Sequence, residues 1–130
     1  MIKTLIVEDN AEFRAFLKAL LRDRFPDGVV AEASNGHQAL HIFALVKPDI
    51  VLVDIGLPGG MNGLALTERI RQDGTRPPIV IITNHDLPEY RAAAARSGAD
   101  HFLAKESSTA QEILAVVERL ATGGSSAPAA

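Results

Sequence analysis

The segment Asp49-Ile50-Val51-Leu52-Val53-Asp54 decides how this chain folds. Its central residues are wholly apolar and rich in the β-branched side chains that favour strands. A short apolar run between charged residues indicates a strand covered on both faces, as in the parallel sheets of α/β proteins. Asp54, which ends the run, is then expected at the edge of the sheet where such folds bind ligands.

Four other apolar segments repeat this pattern, and each predicted strand is followed by a segment with helical periodicity. The predicted strands are residues 2–7, 29–33, 50–53, 79–82 and 100–104. Because crossovers between parallel strands are right-handed, five βα units predict a doubly wound α/β sheet with helices on both faces. The expected strand order is 2-1-3-4-5, as in flavodoxin-like folds.

Helix boundaries are predicted from capping residues. Asn35 is expected to cap the second helix, and Gly98 to end the fourth in the left-handed conformation. Ser108 and Gln111 have the spacing of a capping box before the fifth helix. Apolar residues at helical spacing in the first and fifth helices are expected to face the core: Phe13, Phe16, Leu17, Leu20 and Leu21, then Ile113, Leu114, Val117 and Leu120.

Length and composition predict one domain. The 130 residues are 47% hydrophobic and 22% charged, so residues 1–121 suffice for a single core, and the small polar residues 122–130 are expected to form a flexible tail or the start of a linker. A net charge of −3 without blocks of like charge argues against direct binding to nucleic acid or membrane. Without a visible signal peptide or membrane span, a cytoplasmic protein is expected.

Polar side chains end four of the predicted strands: Glu8-Asp9, Asp54, Thr83 and Lys105. Each has an ordinary interpretation by itself. The acidic pair could simply begin a helix, Asp54 could end a strand in a turn, Thr83 could be a strand residue, and Lys105 could be a solvated charge. Because the carboxyl ends of parallel strands share one edge, however, all of them are expected to meet there.

An acidic pair, an aspartate, a threonine and a lysine at successive strand ends resemble the receiver domain of two-component response regulators, over roughly residues 2–121. The resemblance implies that Asp54 accepts a phosphoryl group from a histidine kinase or phosphotransfer protein. The domain would then change conformation and control an output partner. It would be a stoichiometric phosphoacceptor that assists its own phosphorylation and dephosphorylation, and not an enzyme.

The same resemblance implies a Mg²⁺ site, which Mn²⁺ could also occupy. Magnesium prefers oxygen ligands and keeps several waters, which suits Asp9 and Asp54 as direct ligands with Glu8 holding a coordinated water. The family adds the backbone carbonyl of Gly56. Lys105 is expected to pair with Asp54 before transfer and with the phosphoryl oxygens after it.

The resemblance also implies a conformational switch. The Thr83 hydroxyl would donate a hydrogen bond to the phosphoryl group, and the ring of Phe102 would move into the space that Thr83 leaves. Phe102 could alternatively be a plain core residue. The fourth helix, fifth strand and fifth helix would form the surface that contacts an output domain or effector, and in receivers this surface can also form a homodimer.

Three features depart from the receiver pattern. Asp54, Pro58, Met61 and Gly63 match it only if one glycine of the pair at 59–60 is additional, which predicts a longer loop after the third strand.

The other two departures lie after the fourth and fifth strands. Asn84 stands where receivers have a very small residue, so phosphorylation rate or phosphoryl lifetime could differ, and His85 could influence dephosphorylation or be a solvated loop residue. Glu106 stands where many receivers have a cis proline. A cis Lys105–Glu106 bond would cost about 3–4 kcal/mol, so a trans bond is expected unless the site enforces otherwise.

Three other functions compete with the receiver interpretation. A haloacid-dehalogenase-like phosphatase needs a second aspartate two residues after the nucleophile, where this chain has Gly56. A flavodoxin-like nucleotide carrier needs a phosphate-binding loop after the first strand, where Glu8-Asp9-Asn10 would repel phosphate. A pseudo-receiver, which regulates a partner without phosphorylation, remains the alternative because of Asn84 and the additional glycine.

Overall fold

The computed structural model describes residues 1–123, in which strands and helices alternate. The prediction of a flexible tail falls mostly on residues 124–130, which lie outside the described part. The elements are β1 Lys3–Val7, α1 Ala11–Arg24, β2 Val29–Ala33, α2 Gly36–Val46, β3 Ile50–Val53, α3 Gly63–Gln72, β4 Ile79–Thr83, α4 Pro88–Ser97, β5 His101–Ala104 and α5 Ala110–Ala121.

The strands form one parallel sheet in the order β2-β1-β3-β4-β5, which confirms the predicted topology. Its register sets the positions of the residues that follow each strand. Val7 at the end of β1 lies opposite Val53 at the end of β3, and the Asp54 N–H donates to the Val7 carbonyl at 3.1 Å. Thr83 pairs with Ala104. The polar residues after these strands therefore lie on one edge of the sheet.

Alternate residues of the strands enter two separate cores, one on each face of the sheet. Leu5, Val51 and Val53 face a core that includes buried residues of α2, α3 and α4. Ile6 and Leu52 face the other core, which includes buried residues of α1 and α5. Both faces are covered, as the apolar strands predicted. Within residues 1–123, no helix combines the length and apolar composition of a membrane span.

Most capping predictions are confirmed, and one is wrong. Asn35 accepts a hydrogen bond from the Gln38 N–H and caps α2, and Gly98 ends α4 with a φ of 105°. The capping box of α5 consists of Thr109 and Glu112 and not of Ser108 and Gln111. The Ser108 N–H instead donates to the Ala104 carbonyl in the turn after β5, so the helix begins one residue later than predicted.

Two further details differ from the sequence-based expectation. Phe16 of α1 is 42% exposed, so it lies on the surface and not in the core. In α5, Ile113 and Val117 are buried, whereas Leu114 and Leu120 are only partly covered.

Candidate functional site

Three carboxylates meet at the carboxyl edge of the sheet. Glu8 and Asp9 follow β1, Asp54 follows β3, and one ligand atom from each lies within 4.8 Å of the others. Thr83 ends β4, and Lys105 follows β5. The topology thus brings together residues that are far apart in the sequence, at the edge where the predicted site was expected.

Lys105 connects two of these carboxylates. Its Nζ lies 2.8 Å from Glu8 Oε1 and 3.4 Å from Asp54 Oδ2. The expected pairing with Asp54 is therefore present, but the contact with Glu8 is closer. Only 2% of the Glu8 side chain and 11% of the Lys105 side chain are exposed, so solvent screens these charges little.

Burial raises the pKa of Glu8 above its usual value, and the nearby negative charge of Asp54 adds to the rise. Hydrogen bonds from Lys105 and from the Asn10 N–H lower the pKa of Glu8, but they do not offset the loss of solvation. Burial of Glu8 is thus only partly compensated, and the three carboxylates of the cluster are formally balanced by the single ammonium of Lys105.

The negative charge of Asp54 is also incompletely compensated, at one of its carboxylate oxygens. Its Oδ1 is buried and is the one such side-chain atom within residues 1–123 that has no hydrogen-bond partner. An unpaired buried carboxylate oxygen is costly and is expected to have a partner. Oxygen atoms of Glu8, Asp9 and Asp54 are the hard ligands that Mg²⁺ prefers, so these residues fit a divalent cation.

Thr83 is fully buried and borders the site. Its Oγ1 accepts a hydrogen bond from the His85 N–H at 3.3 Å, and its carbonyl accepts one from the Lys105 N–H at 2.8 Å. The His85 imidazole lies over the loop after β3, because its Nε2 is 3.3 Å from the position that a Cβ on Gly56 would take. The adjacent Asn84 is exposed.

Phe102 lies two residues before the end of β5 and pairs with Ile81 in the sheet. Its ring is partly buried against the core that includes α4. The Arg91 guanidinium lies over this ring at 4.6 Å from the centroid, and its Nε also binds Asp86 Oδ1 at 2.8 Å. Phe102 is thus held between the core and a surface ion pair.

The loop after β3 requires glycine at several positions. A Cβ on Gly63, where α3 begins, would lie 2.1 Å from the Asp54 carbonyl oxygen, so a larger residue would displace the backbone of Asp54. Gly59 and Gly60 have φ values of 90° and 86°, which other residues rarely adopt. Within residues 1–123 all peptide bonds are trans, which agrees with the expectation for Lys105–Glu106.

Two contacts of the site were not anticipated. The ring of Phe13, which was expected only to face the core, lies 4.4 Å from Lys105 Nζ. Arg14 Nη1 donates to the Glu8 carbonyl at 2.8 Å. Both contacts come from the first turn of α1, which begins at Ala11, shortly after Glu8-Asp9 in the sequence.

Comparisons with known proteins agree with this geometry. The family model described as the response regulator receiver domain matches residues 4–118. The nitrate/nitrite response regulator protein NarL of Escherichia coli is 31% identical over 119 residues, which are 92% of this chain and 54% of that protein. The oxygen regulatory protein NreC of Staphylococcus haemolyticus is 31% identical over 115 residues, 88% of this chain and 53% of that protein. The chain therefore spans about half the length of these curated relatives.

Solved structures show the same fold. A two-component response regulator of the LuxR family from an Aurantimonas species superposes with a TM-score of 0.85 at 30% identity, over 95% of this chain and 86% of that one. The receiver domain of a Francisella response regulator superposes with a TM-score of 0.86 over 95% of this chain and 99% of that one. Its identity of 22% supports likeness of fold alone.

Proposed function

The chain belongs to the response regulator receiver domain family, and we propose on that basis that Asp54 accepts a phosphoryl group from a histidine kinase or phosphotransfer protein. The observation that carries this proposal is the buried Asp54 Oδ1, which has no partner among residues 1–123, in a cluster of three carboxylates that contacts a single ammonium. A carboxylate held in this way is available for bonding, unlike one that is saturated by hydrogen bonds.

The reaction transfers one phosphoryl group between two nucleophiles. An oxygen of Asp54 forms a bond to phosphorus while the bond from phosphorus to the donor nitrogen breaks, and the departing imidazole keeps that electron pair and takes a proton. Such a transfer depends mainly on positioning and charge stabilisation. Glu8, Asp9, Asp54 and the Gly56 carbonyl would hold Mg²⁺, or Mn²⁺ in its place, and the bound ion would offset the charge of the phosphoryl oxygens.

Lys105 supplies the protein's own positive charge at this site. It contacts both Glu8 and Asp54, so a small movement of its Nζ would carry it to a phosphoryl oxygen on Asp54. Hydrogen bonds between an ammonium and phosphoryl oxygens are charge-assisted and stronger than neutral ones. Lys105 would therefore stabilise the acyl phosphate after it had balanced the free carboxylates.

The conformational response would begin at Thr83. In the unphosphorylated domain its hydroxyl accepts a hydrogen bond from His85, and it would donate one to the phosphoryl group after transfer. Phe102 would follow inward, leave the Arg91 guanidinium and alter the surface of α4, β5 and α5. A phosphoryl group acts in such a switch by favouring one of two pre-existing conformations.

Two residues beside the site are proposed to set the phosphoryl lifetime. Asn84 occupies the position next to Thr83, and the His85 imidazole covers the loop at Gly56. Both border the path by which water would reach the acyl phosphate. The domain would act as a stoichiometric acceptor and not as a phosphatase of external substrates, because Gly56 carries no acid side chain.

The surface of α4, β5 and α5 is proposed to contact the output domain or effector, or a second copy of the chain. The relatives that the chain matches are about twice its length, so an output domain joined through residues 122–130 is consistent with receiver residues 1–121. The net charge of −3 favours a protein partner over nucleic acid for this domain.

Intact mass measured after incubation with acetyl phosphate or phosphoramidate tests the proposal. Wild type and Asp54→Asn are each treated with and without Mg²⁺. A Mg²⁺-dependent gain of one phosphoryl group in wild type, absent in the variant, is expected. No gain in wild type would favour the pseudo-receiver alternative, and gain in Asp54→Asn would place the acceptor elsewhere.

A further inference from the structure

We propose that Phe13 is a positioning residue for phosphoryl transfer, because its ring holds the Lys105 ammonium at the site through a cation–π interaction. This inference rests on the function proposed for Asp54 and Lys105. Lys105 Nζ lies 4.4 Å from the centroid of the Phe13 ring, inside the distance of about 6 Å at which such an interaction acts.

The number of donors on Lys105 supports this role. An ammonium group has three N–H donors, and the hydrogen-bonding partners of Lys105 Nζ within the described chain are the carboxylates of Glu8 and Asp54. With 11% of its side chain exposed, Lys105 has little access to water for the remaining donor. The electron-rich face of the Phe13 ring is the neighbour that can stabilise this part of the cation.

The backbone places this ring with little freedom. Phe13 lies in the first turn of α1, and its N–H donates to the N-cap side chain Asn10 Oδ1 at 2.9 Å. The Asn10 N–H in turn donates to Glu8 Oε2 at 3.0 Å. The start of the helix, the acidic residue and the ring are therefore fixed relative to one another, and Lys105, which follows β5, contacts both the carboxylate and the ring.

A ring suits this role better than another carboxylate. A third anion close to Lys105 would compete with the phosphoryl group for the ammonium and add repulsion to a site that is already rich in negative charge. A neutral ring attracts the cation more weakly than a charge-assisted hydrogen bond does. Phe13 can therefore hold Lys105 near Asp54 and still release it toward the phosphoryl oxygens.

Phe13 also packs against the core that includes α1 and α5, so a purely structural role must be separated from this one. Replacement of Phe13 by phenylalanines carrying one, two or three ring fluorines keeps its size and apolar character while it progressively weakens the negative face of the ring. Phe16 offers a matched control, because it lies on the same helix, its ring is 5.6 Å from that of Phe13, and it is 42% exposed.

The test measures the rate of phosphorylation by phosphoramidate with Mg²⁺, which involves no kinase surface. The rate is expected to fall with each added fluorine at position 13, by about threefold to tenfold over the series, and to stay constant for the same series at position 16. A rate that does not change at position 13, in a chain that is still phosphorylated, would overturn the role of Phe13 and leave the proposed function standing. No phosphorylation of the unsubstituted chain would instead refute the proposed function, and this role with it.

A second readout detects the contact without phosphorylation. The chain has only four lysines, so the ε-methylene groups of ¹³C-labelled lysine can be assigned with Lys105→Arg. Ring current from Phe13 is expected to shift the Lys105 ε-protons upfield, and Phe13→Leu to remove this shift while Phe16→Leu retains it. An unshifted Lys105 signal in the wild type would contradict the contact itself.

Discussion

Two clusters of charge lie at opposite edges of the same sheet and differ in how fully their charges are satisfied. At the amino edge, Arg71 donates to the carbonyls of Gly98 at 3.0 Å and Pro77 at 2.8 Å and to Asp100 Oδ2 at 2.8 Å. Asp100 Oδ2 also accepts from the Ile79 N–H at 2.8 Å. The hydrogen bonds of Arg71 and Asp100 thus connect α3, α4 and the starts of β4 and β5.

The cluster at the carboxyl edge has the opposite character. Lys105 is shared between Glu8 and Asp54, Asp54 Oδ1 has no partner in the described part of the chain, and the pKa of Glu8 is raised. A network in which every charge is paired favours a single folded structure. A network with an unpaired buried group instead favours binding of an ion or ligand that can pair with that group. Burial also lowers the pKa of Arg71, so the raised pKa of Glu8 does not by itself distinguish the two edges. The difference lies in the hydrogen bonds, because Arg71 donates to the acceptors named above, whereas Asp54 Oδ1 has no partner among the described residues. The comparison indicates that the amino-edge cluster holds the fold together and that the carboxyl-edge cluster is the candidate site.

The largest effect is expected at the amino edge. Arg71→Met should lower the free energy of unfolding by about 2–3 kcal/mol, because the carbonyl oxygens of Gly98 and Pro77 lose this donor and Asp100 loses its charged partner. Urea denaturation measures this loss, and labelling by phosphoramidate should persist in the folded variant. Arg76→Ala is the matched control, since this side chain is exposed and donates to the adjacent Thr75 carbonyl at 3.0 Å, a contact within its own loop. Equal losses in the two variants would contradict the structural role of Arg71.

Removal of a charge at the carboxyl edge is expected to stabilise the fold, unlike the removal of Arg71. Asp54→Asn is expected to raise the free energy of unfolding by about 1 kcal/mol without divalent cations, because it removes a negative charge that repels the buried carboxylate of Glu8. Addition of Mg²⁺ should stabilise wild type through binding to the folded state, and the variant less. Destabilisation of the metal-free variant by a similar amount would show that Asp54 is satisfied in the folded protein.

The smallest effect is expected at Glu32, which lies on β2, next to the strand that Glu8 follows. Lys18 at 2.7 Å and Arg14 at 3.1 Å bind Glu32, and the hydrogen bond from Lys18 is the main reason that its pKa is lowered. The pKa of Glu8, which follows the adjacent strand β1, is raised, so the pKa values of these two glutamates shift in opposite directions. Glu32→Gln should cost about 0.5–1 kcal/mol at neutral pH, because the ion pairs are partly screened by solvent.

The pH dependence of that cost follows from the lowered pKa of Glu32. A carboxylate whose pKa is lower in the folded state contributes stability that is complete above its unfolded value of 4.5 and is lost as the pH falls through the folded value. The difference in unfolding free energy between wild type and Glu32→Gln should therefore shrink as the pH falls below 4.5. A difference that stays constant with pH would show that the ion pairs do not carry it.

Much of the fold and the location of the site follow from local sequence patterns. Apolar runs predicted the five strands and their order, because parallel strands with two covered faces leave few topologies. The residues that end those strands were predicted to meet at one edge, and the structure brings Glu8, Asp9, Asp54 and Lys105 together there. Their roles in phosphoryl transfer stay a prediction.

Features that depend on tertiary distances could not be predicted. Ser108 with Gln111 and Thr109 with Glu112 have the same capping spacing, and only the turn after β5 selects the second pair. The sequence does not distinguish Arg71 from other polar helix residues, because its role depends on the packing of α3 against the end of α4. Likewise, the contact of the Phe13 ring with Lys105 and the closer contact of Lys105 with Glu8 join residues that are about 90 to 100 positions apart in the sequence, so local patterns do not reveal them.

Chemical trapping of the modified residue tests the central claim most directly. After phosphorylation by phosphoramidate with Mg²⁺, borohydride reduces an aspartyl phosphate to homoserine, and peptide mass spectrometry then locates that residue. Homoserine at position 54, and at no other aspartate, is the predicted result. Homoserine at Asp9 or elsewhere, or a phosphoryl group that resists reduction, would contradict the assignment of Asp54 as the acceptor.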